Sequence, residues 1–286
     1  MPVITSEKRG VLYVALAVTL FSTTPVLIRW ADGLSAFATT CMRMFVGSAT
    51  VLALARVQGH PLHIPRRDWP RFALWGLVAA SHFCFYIASL YYTTVAHSLA
   101  LVYTSPIWVS LFSWLFLHEP LTAHKWLGIL VTLAGMVVLS RFETAWTSRM
   151  LIGDAMALGS AITFGIYSVI GRAQRKRYSL WTYATGVYGM AGLWLLPLAL
   201  FTWRTPERVG PALLSVLALG VLPLGIGHTL YNAALRRTHP TVVNVIATQE
   251  VTGGVLLSWW LLNEIPSANA VVGALVMLVG VVLVVV

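Results

Sequence analysis

Four charged or histidine side chains stand at least five residues from either end of long apolar stretches of this chain: Arg43, His82, His228 and Glu250. If those stretches cross a bilayer, a charge held in the hydrocarbon costs free energy, so such residues are first considered for binding or proton transfer. The carboxyl group of Glu250 could hold an ammonium group, carry a proton or pair with Arg43. The rest of the chain must position these four side chains.

Depth separates Arg43 from Glu250. Arg43 lies about eight residues, or about 12 Å at 1.5 Å per residue, from the nearer end of its stretch, so its long side chain can reach the surface. A structural role, such as pairing or carbonyl capping, is therefore favoured over substrate contact for Arg43. Glu250 lies about 15 Å from the nearer end, and for it a site or coupling role and a structural role both stay open.

The two histidines have polar or aromatic surroundings but no metal-ligand partners. No second His or Cys stands at metal-binding spacing to His82 or His228, so substrate contact and a hydrogen-bonded core role both stay open. Further rings and hydroxyl groups fall near the middle of neighbouring stretches. The residues predicted to bind substrate are His82, Phe85, Tyr86, Tyr103, Ser105, Trp108, Phe164, Tyr167, His228, Gln249 and Glu250.

The composition is that of a membrane protein. Of 286 residues, 58% are hydrophobic and 10% charged, whereas about 25% are charged in soluble domains. Stretches of about 20 apolar residues, the length that crosses a bilayer, are numbered here as spans one to ten. They cover residues 10–30, 35–57, 70–92, 97–117, 121–140, 152–171, 180–202, 211–233, 240–262 and 267–286. Cys41 and Cys84 fall within spans two and three and are interpreted as packing residues.

The positive charge is a topology signal. With the N-terminus inside, thirteen Lys and Arg residues lie on the inner side: Lys8, Arg9, Arg56, Arg66, Arg67, Arg71, Lys125, Arg172, Arg175, Lys176, Arg177, Arg236 and Arg237. Five lie on the outer side: Arg29, Arg141, Arg149, Arg204 and Arg208. This bias predicts that both termini are inside, and it argues against nucleic acid as a partner.

One segment of the chain occurs twice. Residues 113–135 read SWLFLHEPLTAHKWLGILVTLAG and residues 258–280 read SWWLLNEIPSANAVVGALVMLVG, with Glu119 matching Glu264 at an offset of 145. Each copy predicts a helix, a turn at the Glu followed by an N-cap at Thr122 or Ser267, and a second helix. Each copy also places two glycines seven residues apart, a spacing that lets another backbone approach closely in lipid. The repeat therefore predicts a packing interface.

The repeat extends to the two halves of the chain. Phe21 and Arg29 match Phe164 and Arg172 at an offset of 143, so residues 1–145 and 146–286 are expected to form equivalent five-helix halves. Because five is odd, the second half enters the membrane from the opposite side, which relates the halves by a pseudo-two-fold axis in the membrane plane. Such an inverted repeat is typical of transporters that alternate access between the two sides.

Two regions resemble a known family. They are similar to the signature regions of the drug/metabolite transporter superfamily, EamA-type branch, and read SLYYTTVAHSLALVYTSPIWVSLFSWLFLHEPLTAHKWLGILVTLAG and NAALRRTHPTVVNVIATQEVTGGVLLSWWLLNEIPS. Arg43, in CMRMF, also stands where that family carries an arginine in its second helix. The resemblance implies ten helices in two inverted halves and transport, often export, of small metabolites. The bacterial aromatic amino acid exporters are the subgroup to compare first. Where the family often has Glu-Pro, this chain has Glu250-Val251. The sequence therefore supports a kink in span nine less strongly than in span four, where Pro106 supplies one.

No enzyme motif is found in the chain. GxSxG, HExxH, a Walker loop and CxxC are all missing from the sequence, which predicts no catalytic residue, no cofactor and no metal site. The predicted function is export of small metabolites, aromatic or other neutral amino acids above all, by a monomer in the bacterial inner membrane. The alternatives are a drug-type or a nucleotide- or sugar-type substrate, a channel, or a membrane-embedded transferase.

Two further expectations concern the mechanism. Spans one, three, four, six, eight and nine are expected to line the cavity, with spans five and ten at the periphery because they carry the spaced glycines and few polar side chains. Span one contains no acidic residue, and Asp32 falls in the outer turn, where water would keep it ionised. Any proton coupling would therefore pass through Glu250 or a histidine.

Overall fold

The computed structural model describes residues 5–31, 33–93, 95–140, 147–263 and 265–286, and this part of the chain is helical without strands. Its α-helices are α1 (Ser6–Phe21), α2 (Thr24–Trp30), α3 (Ala36–Val57), α4 (Trp69–Tyr92), α5 (Val95–Val102), α6 (Ser105–Leu117), α7 (Ala123–Ser140), α8 (Ser148–Ala173), α9 (Leu180–Phe201), α10 (Val209–Leu219), α11 (Thr229–Leu235), α12 (Pro240–Ala247), α13 (Glu250–Leu262) and α14 (Ala268–Val285). A π-helical turn, Gly220–His228, joins α10 to α11.

The predicted ten-span architecture is confirmed. Within the described residues, nine helical segments are long and apolar enough to cross a membrane, and the shorter apolar helix Ala123–Leu139, in span five, brings the number to ten. Four spans are interrupted: span one is α1 and α2, span four is α5 and α6, span eight is α10, the π-turn and α11, and span nine is α12 and α13. The other six are single helices.

Side-chain caps set where several helices begin. The hydroxyl groups of Thr5, Ser35, Thr147, Ser179 and Ser267 each accept a hydrogen bond from the backbone N–H three residues further on. The cap predicted at Ser267 is thus confirmed. These caps satisfy N–H groups that have no partner within the helix.

The turn that was recognised as a repeat adopts the same backbone conformation twice. His118 and Asn263 are the two non-glycine residues with positive φ in the described part of the chain, at 56° and 55°. They are 145 positions apart, the offset found in the sequence. Glu119 follows His118 directly, while its counterpart Glu264 lies outside the described residues, as does Asp32.

The repeated glycines bring α7 and α14 into backbone contact. A Cβ atom on Gly135 would lie 2.6 Å from the backbone nitrogen of Met277 and 2.7 Å from the carbonyl oxygen of Gly273. A Cβ on Gly128 would lie 2.8 Å from the carbonyl oxygen of Gly280. No other residue type fits at such distances, so the predicted packing interface is confirmed and lies between the fifth span of each half.

Further contacts between halves join spans two and three to span seven. In α3, Ser48 Oγ donates to the Thr185 carbonyl of α9 at 2.9 Å, and the buried Cys41 Sγ donates to the Gly192 carbonyl at 3.4 Å. In α4, the Ala73 carbonyl accepts from Trp194 Nε1 of α9 at 2.9 Å. Cys41 therefore packs as predicted, and α9 of the second half is held against α3 and α4 of the first.

Candidate substrate cavity

Spans four and nine are broken at equivalent positions. Span four loses helical geometry at Tyr103 and Thr104, span nine at Thr248 and Gln249, and each pair is again offset by 145. Thr104 Oγ1 donates to the Leu101 carbonyl at 2.6 Å, which satisfies part of the backbone freed by the break. Discontinuous helices near the middle of the bilayer are a recurring feature of transporter binding sites.

The break in span nine occurs without a proline. The sequence supported a kink less strongly there than in span four, where Pro106 lies in the first turn of α6. The structure interrupts both spans. In span nine, Thr248 Oγ1 donates to the Val245 carbonyl at 2.7 Å, and the Thr248 N–H bonds back to Asn244. A threonine hydroxyl group thus accompanies the interruption without a proline.

The two breaks lie beside a cavity of about 870 Å³ between the halves. Its deep part contains Tyr103, Ser105, Thr248 and Glu250 from the breaks themselves. Its mouth contains Arg29, Gly33 and Leu34 from the first outer connection, and Ile265 and Pro266 from the last. The cavity therefore opens at the predicted outer end of the bundle.

The predicted set of lining spans is nearly right but omits span two. Spans one, three, four, six, eight and nine all contribute, as expected, and span ten contributes Ala270 near its end. Span two adds Ala36, Thr39, Thr40 and Arg43. Its polar residues recur every three or four positions, so that Thr39, Thr40 and Arg43 share one face of α3. This spacing in the sequence could have identified span two as a lining span.

Seven of the eleven predicted site residues line the cavity, and four do not. Those in the cavity wall are His82, Tyr86, Tyr103, Ser105, Phe164, His228 and Glu250. Phe85 is exposed on the outside of α4, and Trp108 packs over Gly165. Tyr167 is buried and accepts a hydrogen bond from Asn232 at 2.7 Å. Gln249 is buried within the break of span nine.

The histidines are held by different means. His82 Nδ1 lies 2.9 Å from Ser160 Oγ and 3.0 Å from the Ser160 carbonyl, and the imidazole stacks on Phe164 with ring centroids 4.6 Å apart. His228, at the end of the π-turn, packs among rings, with Phe21 at 4.5 Å. Local π-helical turns often occur at functional sites because they redirect side chains. The two imidazoles form part of an aromatic wall.

Arg43, for which the sequence favoured a structural role, lies in the wall of the cavity. The side chain is 7% exposed, and its Cζ lies 4.7 Å from the centroid of the Phe83 ring in the cavity wall. Its Nε is buried and has no hydrogen-bond partner. Instead of reaching the surface, the guanidinium group lies inside, stacked on an aromatic ring.

A buried polar network fills the bundle between the cavity and the inner end. Ser105 Oγ donates to Asn244 Oδ1 at 3.1 Å, and Ser110 Oγ lies 3.0 Å from Thr241 Oγ1, so α6 and α12 are linked across the halves. These four residues are at most 3% exposed, so the bundle is tightly packed here and the floor of the cavity is closed.

The inner end is sealed by an ion pair between the halves. Glu119, in the connection after α6, accepts three hydrogen bonds from Arg172 in the last turn of α8. Arg172 also donates to the Leu235 carbonyl at 3.0 Å, and His239 Nε2 lies 3.0 Å from the Glu119 carbonyl. Four connected groups from spans four, six, eight and nine therefore close the side opposite the mouth.

Comparison with known families decides what kind of protein this bundle is. The profile of the EamA-like transporter family matches residues 8–141 and, a second time, residues 151–286. The chain belongs to the EamA-like transporter family. The duplicated family profile agrees with the repeat found in the sequence, and the protein is an integral, multi-pass membrane protein.

This EamA-like transporter is similar to several curated proteins at low identity. It is 27% identical to the "Pseudopaline exporter CntI" of Pseudomonas aeruginosa over 279 residues, covering 96% of this chain and 94% of the relative. It is also 27% identical to the "Aromatic amino acid exporter YddG" of Ancylobacter novellus over 238 residues, covering 81% of each. A solved crystal structure matches 96% of this chain and 95% of its own with a TM-score of 0.84 at 22% identity, which supports the fold.

Proposed function

We propose that this EamA-like transporter exports small, partly apolar metabolites, with aromatic and other neutral amino acids as the leading substrates. The observation that supports this most directly is the shape of the cavity. It lies between the two halves, opens at the predicted outer end and is closed at the inner end by Glu119 and Arg172. This is the outward-open arrangement that alternating access requires at one stage of its cycle.

The wall of the cavity favours a substrate with an apolar or aromatic part. Phe83, Tyr86, Tyr103 and Phe164 present rings to the same space, where a planar side chain can stack. The volume of about 870 Å³ is ample for an amino acid and lies within the range of small-molecule sites. The relative named as an aromatic amino acid exporter supports the same choice.

Alternating access would move residues 1–145 and 146–286 relative to each other. In the opposite state, the ion pair of Glu119 with Arg172 would separate and the mouth near Gly33 and Pro266 would close. The close packing of α7 on α14 suits a fixed contact about which the halves rotate.

The test is counterflow in liposomes that contain the purified protein. Liposomes loaded with unlabelled phenylalanine should take up external radiolabelled phenylalanine above empty-liposome controls, with saturation. Uptake that does not saturate and is not stimulated by internal substrate would indicate a channel. No exchange of any aromatic or neutral amino acid would refute the substrate assignment, and nucleotide-, sugar- and drug-type compounds would then be tested in the same assay.

A cell-based measurement tests the direction of transport. Bacteria that express the protein should resist toxic amino-acid analogues added as dipeptides, which are hydrolysed inside the cell. Cells that express the Glu119→Arg protein, in which like charges at the inner end oppose its closure, should resist less than cells with the wild-type protein. Equal sensitivity of cells with and without the wild-type protein would contradict export.

A further inference from the structure

Two opposite charges line the cavity without pairing. Arg43 in α3 and Glu250 at the start of α13 both belong to its wall. Within the described residues they form no ion pair at 4.0 Å or less, and Nε of Arg43 has no hydrogen-bond partner. The structure thus places a cation and an anion in the wall of one cavity without joining them.

Leaving both charges unpaired costs free energy unless a ligand pairs with them. A buried charge is normally paired or hydrogen-bonded because desolvation is expensive. The Phe83 ring below Arg43 stabilises the guanidinium by a cation–π contact, but it uses none of the N–H groups. Glu250 lies at the N-terminus of the 13-residue α13, where the helix dipole favours a negative charge. Each charge is therefore supported in place, while its hydrogen-bonding capacity stays unused.

We propose that Arg43 and Glu250 together bind the zwitterionic head of an α-amino acid. Arg43 receives the α-carboxylate and Glu250 receives the α-ammonium group. A guanidinium group matches a carboxylate through two parallel N–H donors, and an ammonium group donates to a carboxylate oxygen. The side chain of the substrate then lies against the rings of Tyr86 and Phe164. This assignment rests on the function proposed above and deepens it.

The same pair disfavours the other substrate classes. A simple anion, such as a sugar phosphate, would bring its charge next to Glu250, and a simple cation would bring its charge next to Arg43. Only a ligand that carries both charges matches both groups. The pair therefore selects a zwitterion, and the aromatic wall selects among zwitterions.

The first experiment uses the wild-type protein alone. In the phenylalanine counterflow assay, phenethylamine, which lacks the carboxylate, and 3-phenylpropionate, which lacks the ammonium group, are added as competitors beside unlabelled L-phenylalanine. Each analogue should compete at least about tenfold more weakly, because each loses one charge-assisted contact and leaves one buried charge unmatched. If either analogue competes as well as phenylalanine, the two-point assignment is overturned.

The second experiment removes one charge at a time. Arg43→Gln should lose phenylalanine exchange about tenfold or more while phenethylamine gains as a competitor, and Glu250→Gln should instead favour 3-phenylpropionate. Arg204→Gln and Glu207→Gln, exposed positions in the loop between α9 and α10, are the matched controls and should keep the wild-type preference. Monodisperse elution of each variant checks folding.

The outcomes separate this inference from the proposed function. If the wild-type protein exchanges phenylalanine and both charge variants keep its order of preference, amino acid transport stands and the Arg43–Glu250 assignment falls. If the wild-type protein exchanges no amino acid in liposomes, the proposed function fails first.

Discussion

Arg172 and Glu119 join the two halves of the protein at its inner end. Nε of Arg172 lies 3.2 and 3.3 Å from the two carboxylate oxygens of Glu119, and Nη2 lies 3.1 Å from Oε1. Both side chains are largely shielded, at 14% and 24% exposure. Because one partner belongs to each half, the pair must break whenever the inner end opens.

Removing one charge of this pair should favour the inward-open state. Glu119→Gln loses the ionic part of the contact, which for a partly exposed pair amounts to about 1 kcal/mol, or about fivefold in the ratio of states. Labelling of a cysteine at Thr241, behind the pair, by a maleimide applied from the inner side should accelerate by a similar factor. The labelled background has Cys41 and Cys84 replaced by alanine.

The control for this measurement is another ion pair at the same end. Arg71 pairs with Asp68 at 3.1 Å within the first half, and Asp68 also pairs with Arg177 of the second half at 2.8 Å. Arg71→Gln leaves that contact between the halves in place and should therefore leave the labelling rate unchanged. Equal rates in the Glu119→Gln protein and the wild type would show that the pair does not hold the inner end closed.

The contact between α7 and α14 should not tolerate even a methyl group. Gly135→Ala and Gly273→Ala place a Cβ against the backbone of the facing helix, and overpacking of this kind costs about 1–3 kcal/mol. We expect a lower midpoint of thermal unfolding in detergent, measured by tryptophan fluorescence. Gly210→Ala, with open space around it, is the control and should be neutral or slightly stabilising. If all three variants lower the midpoint of thermal unfolding equally, the contact between α7 and α14 is not the cause of the loss of stability.

Acidification should weaken the cap of α12. His239 Nδ1 accepts the Thr241 N–H at 3.2 Å, so the imidazole is neutral and its Nε2–H donates to the Glu119 carbonyl. Burial lowers the pKa of His239, although the bond to the carbonyl opposes this. The folded protein then binds fewer protons than the unfolded chain, so the stabilisation is complete above about pH 6.5 and is lost as the pH falls.

Thermal midpoints between about pH 8 and 5 check this prediction for the cap of α12. The wild-type midpoint should fall on acidification, and His239→Asn, which keeps a capping side chain without a titrating group, should flatten that fall. His63→Asn, at an exposed position in the loop after α3, is the control and should leave the profile as it is. If His63→Asn flattens the profile equally, the fall of the thermal midpoint on acidification does not come from the cap at His239.

Transport is expected not to depend on a proton gradient. Span one offers no carboxylate, and we assign Glu250 to substrate binding, so no acidic side chain of these two spans is left over for a proton cycle. The ratio of phenylalanine flux with and without a pH gradient should be near one in the wild type and in Glu250→Gln, although the variant is slower. A steep dependence in the wild type that Glu250→Gln abolishes while exchange persists would establish coupling through this carboxyl group.

That the glycine faces of α7 and α14 pack on each other is a finding of the structure. The sequence by itself determined the spans, the inverted repeat and the presence of those glycine faces. These features depend on the length of apolar runs and on residue types at a constant offset, and both are local properties of the chain. The shared backbone conformation of His118 and Asn263 is the most detailed example, because an offset of 145 in the sequence reappears as nearly equal φ angles. The repeat in the sequence draws attention to Glu119 but does not identify its partner, because Arg172 comes from a different span in the other half.

Tertiary structure alone decided which side chains face the cavity. Position along the sequence determines the depth of a residue in the membrane, but the rotation of a helix about its axis depends on the helices packed against it. Phe85 and Tyr86 are neighbours in α4, yet Phe85 is exposed on the outside and Tyr86 lines the cavity. For the same reason Arg43, which from its depth alone could have reached the surface, is directed inward, where the ring of Phe83 stabilises its charge and Glu250 lies across the space.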